Sequence, residues 1–253
     1  MLASLPAGIK IASFAEGYRR YFEIVPAITE AFKWHNYRIR HEVYCREFGL
    51  QPIRADEIET DEYDAHSIHC LVRALASQEF VGCSRIVLAN PADPAAPLPF
   101  EKLAGHLIDR NVLDPSRMDR TRIGEISRMA VISQYRRRKG EQRWPFSIDD
   151  NFGENDRIRL PYMTFGLLLA MIVLARWKNI ETLFMLAEPT QAASIARLGI
   201  ELHMFGCAVE HGGIRVPMAL FVEELVADMD SRIRPFFDAV NEEIRRTLEA
   251  ASH

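Results

Sequence analysis

Apolar and polar positions along the chain change period several times, and each change marks an element. Ile28, Phe32, Ile39 and Val43 fall near one stripe at helical spacing, which predicts a helix opening at Pro26, running to Phe48 and stopping at Gly49. Arg40 and Tyr44 are four apart and share a face of that helix. The following stretch, Ala55–Asp64, is acid-rich and too polar for a core. Ser67–Leu75 and Phe80–Leu88 read as strands, and Ala76–Glu79 between them is short enough for a hairpin. Asn90–Pro99 holds four prolines and reads as a loop, Phe100–Leu107 as a short helix, and Gly124–Ile132 as a third strand.

The most apolar run, Phe165–Ala175, is 11 residues long. A membrane-spanning helix needs about 20, so the run predicts a core helix over 162–178. A strand at Ile180–Ala187 and a short helix from Pro189, closed by Gly199, come next. Segments 202–210 and 214–223 suit a hairpin across His211-Gly-Gly213. Ile233, Phe236, Phe237, Val240, Ile244 and Leu248 then mark an amphipathic helix at about 229–250. No internal repeat is visible. This order predicts a single α+β (mixed α/β) domain over residues 1–253 rather than a doubly wound sheet.

Of the 253 residues, 48% are hydrophobic and 26% charged, which excludes disorder as the main state. Lys and Arg total 31 against 35 Asp and Glu, a net charge of -4, and this speaks against a nucleic-acid partner. The cysteines at 45, 70, 83 and 207 have no C-x-x-C spacing and read as single buried thiols in a reducing compartment. Residues 1–10 lack a basic segment followed by an apolar run, so a cytoplasmic location is expected.

Candidate chemistry lies where charge interrupts apolar strands: Arg85 in VGCSRIVL, Glu125 and Arg128 in GEISRMAVI. Breaking a buried ion pair typically costs about 3–5 kcal/mol, so these charges need partners. Arg40, Glu59, Asp61 and Asp64 are the available supply. Two readings follow: an ion-pair network that fixes strand register, or a polar pocket whose carboxylate acts as a base. Glu125 and Arg128 are three apart and face opposite ways in a regular strand, so sharing a pocket requires a bulge. His66 and His69 would suit a metal only on a helix, and on a strand they read as ordinary hydrogen-bonded histidines; no metal site is expected. Cys83 shares a strand face with Arg85 but has no local activating base and reads as inert packing. The Met and Phe residues of FMLAEP and HMFG read as core.

Arg40-x-x-x-Tyr44, Glu59-Thr-Asp61-Glu-Tyr-Asp64, Arg85 and Glu125-Ile-Ser-Arg128 together resemble the ordered motifs of acyl-homoserine-lactone synthases, with Leu50 standing where that family places a tryptophan. The wider context (EYDAHSIHCLVR, EISRMAVISQYRRRKGE, HGGIRVP) is similar to the acyltransferases associated with the PEP-CTERM/exosortase system, described as N-acyl amino acid synthase-like. The resemblance covers roughly residues 20–225. It implies a GNAT-like acyltransferase fold: a central, mostly antiparallel sheet splayed at its centre, with the donor's pantetheine arm beside the strand holding Glu125–Ile132.

What the resemblance implies for function is transfer of a fatty acyl group from an acyl-carrier-protein thioester to an amine, plausibly an amino acid. Glu125 serves as base and Arg128 stands beside it, while Arg40, Tyr44, Glu59, Asp61, Asp64 and Arg85 bind or orient the substrate. Arg137-Arg-Lys-Gly140-Glu-Gln142 keeps only the first half of the family's R/Q-x-x-G-x-G/A pyrophosphate loop. A carrier protein docking on Arg136, Arg137, Arg138 and Lys139 is therefore preferred to coenzyme A as donor. No permanently bound cofactor is implied. The rival readings are an acyl-homoserine-lactone synthase using S-adenosylmethionine and a non-catalytic acyl-ligand sensor.

Overall fold

The computed structural model describes residues 12–136, 162–197, 199–231 and 233–251. Its first half holds α1 (Ala12–Tyr21), β1 (Phe22–Pro26), α2 (Glu30–Arg40), β2 (Ser67–Ala74), β3 (Phe80–Leu88), α3 (Pro99–Ala104), β4 (Ile123–Val131) and α4 (Ser133–Arg136). The second half holds α5 (Tyr162–Trp177), β5 (Thr182–Ala187), α6 (Pro189–Arg197), β6 (His203–Met204), β7 (Val209–Glu210), β8 (Ile214–Phe221), α7 (Val222–Ala227) and α8 (Arg234–Ala250). The strands form one sheet in the order β1-β2-β3-β4-β5-β8-β6, with β7 also paired to β8. All pairs are antiparallel except β4 with β5.

That parallel ladder decides the shape of the site. β4 and β5 pair only through Ile123–Thr182, Gly124–Leu183 and Glu125–Phe184, and beyond Glu125 the two strands are no longer paired. The sheet is thus two antiparallel halves joined at a three-rung seam. Gly124 fits the middle rung because a Cβ there would lie 2.7 Å from Ile86 Cγ2, 3.2 Å from the Val87 carbonyl oxygen and 3.7 Å from Leu183 Cδ2.

One face of the sheet is covered by α5 and α8, with α1 beside them. Phe165–Ala175 within α5 is apolar all round and is enclosed on every side, as such a helix must be. α2 and its continuation cover the opposite face over β2, β3 and β4, and α3 closes that face nearer β5. No helix among the described residues is long and apolar enough to cross a membrane.

The hairpin, the third strand, the apolar helix and the strand after it lie where their periodicity places them, within one or two residues at the ends. Pro26 does not open a helix. It closes edge strand β1, and Thr29 caps α2 by accepting the Phe32 N–H. The helix also changes pitch: His41–Glu47 is π-helical, a form frequent at functional sites. The expected 202–210 strand is two short pieces around Phe205–Ala208, and the terminal helix starts at Arg234.

α8 is tied to the sheet edge through Glu243, whose Oε2 accepts from the Tyr18 hydroxyl at 3.0 Å and the Ile24 N–H at 2.9 Å. Burial raises its carboxyl to about 7, against those two donors. A raised carboxylate pKa gives stability that is full below the ordinary value and is lost as pH rises through the folded one. Glu243→Gln should therefore match the wild type near pH 4 and melt higher than it at pH 8, as thermal unfolding at the two pH values would show.

Candidate functional site

Three arginines and three carboxylates interlock on the α2 face of the sheet. Arg40 closes the regular part of α2, and its whole side chain is buried. Its Nε donates to Glu59, and its Nη1 lies 2.5 Å from Asp64 Oδ1. Arg85, equally buried, grips both oxygens of Asp61 at 2.6 and 2.7 Å, reaches Asp64 Oδ1 at 2.5 Å and donates to Ser127 Oγ at 3.0 Å. Arg128 approaches Glu59 at 3.2 Å and Asp61 at 3.1 Å. The acidic loop is built to present these groups: Asp61 caps a 3-10 turn over Glu62–His66, and Asp64 accepts the Asp61 N–H in return.

A bulge brings Arg128 to this face. Cys83 and Arg85 are two apart on β3, but their partners Ala130 and Ser127 are three apart on β4, so β4 carries one extra residue. Arg128 takes φ 52 there, a left-handed backbone uncommon for a side chain of its size. Ile126, Met129 and Val131 consequently face the α5 core, while Ser127 and Arg128 both reach the ion cluster. The parity conflict between Glu125 and Arg128 is resolved by the strand irregularity that the sequence requires.

Six opposite charges cancel in pairs, and this sets their acidity. Burial alone would push the Asp61 carboxyl up, but the Arg85 hydrogen bonds and the charges of Arg85, Arg128 and Arg40 outweigh it and hold Asp61 at about 2. Asp64 is likewise held below the usual range. Only two members meet solvent appreciably: the side chains of Asp61 and Arg128 are 22% and 26% exposed, against 7% or less for the other four.

Glu125 behaves differently. It lies on the last rung of the β4–β5 seam, opposite Phe184, and on the same sheet face as Arg85. No ion pair joins it to the cluster among the described residues. Its Oε2 accepts the Phe100 N–H at 2.7 Å from the start of α3. Burial pushes its carboxyl up to about 8, against the Phe100 N–H and the more distant charges of Arg85 and Arg128. The sequence reading placed Glu125 within the charge network; the structure sets it beside the network, at the point where the sheet divides.

Tyr44 is held by its hydroxyl, which donates to the Met129 carbonyl at 3.0 Å, and its ring lies 5.5 Å from the Arg128 guanidinium carbon. Burial raises its phenol to about 12. Ser127, which aims Arg85, and Tyr37, whose ring lies 5.5 Å from the Arg40 guanidinium carbon, join the site without having been singled out in the sequence. His69 is buried on β2 with Nε2 3.5 Å from the Asp64 carbonyl oxygen, and burial drives its imidazole down to about 4, so it is neutral at pH 7. Cys83 is buried, its thiol raised to about 12, in keeping with inert packing. Arg136 ends α4, and Arg137, Arg138 and Lys139 lie outside the described residues.

An acetyltransferase (GNAT) domain family model matches residues 39–144, the span from the end of α2 past β4. No curated protein matches the chain. Among solved structures, the CoA-dependent acyl-homoserine lactone synthase BjaI with MTA aligns at a TM-score of 0.59 and 16% identity, covering 88% of this chain and 98% of its own. The AHL synthase LasI aligns at 0.57 and 17%, covering 82% and 94%. FeeM, an N-acyl amino acid synthase from uncultured soil microbes, aligns at 0.53 and 13%, covering 82% and 94%. Identities this low speak for architecture alone. The mixed sheet, mostly antiparallel and flanked by helices, is the GNAT-like acyltransferase fold.

Proposed function

We propose that this chain, built on the GNAT-like acyltransferase fold, moves a fatty acyl group from a phosphopantetheine thioester to an amine, with an amino acid as acceptor. One observation carries the reading: a buried carboxyl whose pKa is lifted to about 8 stands at the head of the split between β4 and β5, beside a charge-balanced cluster with only Asp61 and Arg128 open to solvent. A zwitterion suits that open pair, its ammonium meeting Asp61 and its carboxylate meeting Arg128. Arg40, Arg85, Glu59 and Asp64 hold the pair in place, and Tyr44 steadies Arg128 from below.

In this reading the donor thioester lies along β4 within the split. The amine nitrogen bonds to the thioester carbonyl carbon, the C–S bond breaks, and the proton lost from nitrogen passes through Glu125 to the departing sulfur. A proton carrier with pKa near the working pH suits that exchange. The tetrahedral oxygen needs aligned donors, and the backbone at the bulge, nearest the split, supplies them here. The acyl carrier protein is the preferred donor because the pyrophosphate loop is incomplete, with docking on Arg136, Arg137, Arg138 and Lys139. The exosortase association belongs to this proposal as genomic context.

The test incubates the protein with a palmitoyl carrier-protein thioester, or palmitoyl coenzyme A, and an equimolar mixture of the proteinogenic amino acids. New amides are then sought by mass spectrometry. N-acyl amino acids formed faster from the carrier thioester are the expected result. Product appearing only after S-adenosylmethionine is added would turn the assignment to lactone synthesis, and retained acyl ligand without turnover would make the protein a sensor.

A further inference from the structure

An amine that arrives as an ammonium must lose one proton before it attacks and another as the amide forms. In the reading above, on which this inference rests, Glu125 carries the second. The first finds no acceptor in the ion cluster, where Asp61 is held at about 2, Asp64 below its usual range, and Glu59 is tied to Arg40 and Arg128.

The β7–β8 turn stands on the other side of the split. The Leu50 N–H donates to the Tyr44 carbonyl at 2.8 Å, which places Leu50 directly after the π-helical turn that carries Tyr44 beneath Arg128. The far side of the Leu50 side chain meets the turn, since a methyl group on Gly212 would stand 3.4 Å from Leu50 Cδ2. The segment that follows the π-helical turn, over the β2–β4 half, therefore meets the β7–β8 turn of the other half, and His211 stands next to that contact.

The turn is well defined. The His211 N–H donates to the Gly213 carbonyl at 2.9 Å, the Gly213 N–H donates to Glu210 Oε1 at 3.2 Å, and Gly212 and Gly213 take φ 58 and 114. His211 is exposed to solvent. Among the described residues, the charged groups around it are Arg128 from β4, Arg215 from β8, which lies 3.4 Å from Glu188, and Glu210 on the turn itself. Partial burial lowers its pKa first, and the Arg128 and Arg215 charges lower it further, so the imidazole is neutral at pH 7.

We propose that His211 receives the ammonium proton of the incoming amine at the mouth of the split and releases it to bulk water. The ammonium N–H bond breaks, the imidazole becomes imidazolium, and the free amine goes on to the thioester.

The test measures kcat/KM for amide formation by wild type and His211→Asn, from the palmitoyl carrier thioester and the amino acid mixture, between pH 6.5 and 9.5. The expected loss is about a hundredfold at pH 6.5, the lower end of what a positioned base contributes. It should shrink steadily toward pH 9.5, where the acceptor increasingly arrives as free amine. A loss of equal size at every pH, or no loss, overturns the proposal. Histidine-selective NMR titration adds a readout independent of turnover: the His211 midpoint should lie below the ordinary value and move up in Arg128→Gln, and an unmoved midpoint overturns the placement. Absence of product from wild type at every pH removes the acyl-transfer reading and this role together. Undiminished turnover by Glu125→Gln removes only the part given to Glu125.

Discussion

Glu125→Gln should abolish acyl transfer and leave the fold intact. The substitution keeps the shape and the acceptor oxygen for the Phe100 N–H but removes the proton exchange, so a rate loss of at least about a hundredfold is expected. Folding should respond in the opposite sense. The raised pKa means the native state favours the protonated carboxyl, with a stability contribution complete below the ordinary carboxylate range and lost as pH rises through about 8. The glutamine variant should therefore melt no lower than wild type at pH 7 and higher at pH 9. Mass-spectrometric product counts and thermal melts on the same preparation read both effects. Turnover equal to wild type in a variant with this melting behaviour would end the case for Glu125 as the proton carrier.

Arg85→Met should act mainly on stability. Methionine fills part of the volume but leaves Asp61 without its two-pronged partner and Asp64 without one of its two arginines. Arg128 and Arg40 remain beside these carboxylates, but removing this buried partner from the network costs up to about 3–5 kcal/mol, readable as a lower urea midpoint at unchanged slope. In the wild type, the depressed Asp61 pKa gives stability that is present above about pH 4 and lost as pH falls through about 2. The variant should lose part of that acid-side dependence, because Asp61 and Asp64 then have fewer cations to hold their carboxyls down. A variant as stable as wild type at pH 7 would show that the cluster contributes less than its geometry implies.

These expectations separate what the sequence discloses from what it conceals. Charge inside VGCSRIVL and GEISRMAVI is conspicuous because apolar strands rarely tolerate it, and the same loop carboxylates that looked available are the ones that pair. The bulge was legible as a parity problem, since two side chains three apart cannot share a face of a regular strand. The edge of the sheet was not. Phe22–Pro26 is five residues long, and its proline sits at the strand end, so local pattern favours a helix start there. The π-helical turn left no trace in spacing, since the apolar stripe reads the same at either pitch, and its Tyr44 hydroxyl bonds the Met129 carbonyl of β4. Glu125 stands out as a charge inside an apolar strand, yet its separation from the arginines depends on α3 offering a peptide N–H, which residue spacing does not encode.

Gly124 ties these observations together. Its missing side chain lets Ile86 and Leu183, one from each half of the sheet, close over the same backbone. Alanine there would press on Ile86 and the Val87 carbonyl of β3 while only touching Leu183 of β5, and because Glu125 is the next residue, the spacing of the seam and the aim of the carboxyl would shift as a unit. For the acyl transfer proposed above, substitutions that retune the donor should therefore succeed farther along the two strands and fail at this hydrogen atom.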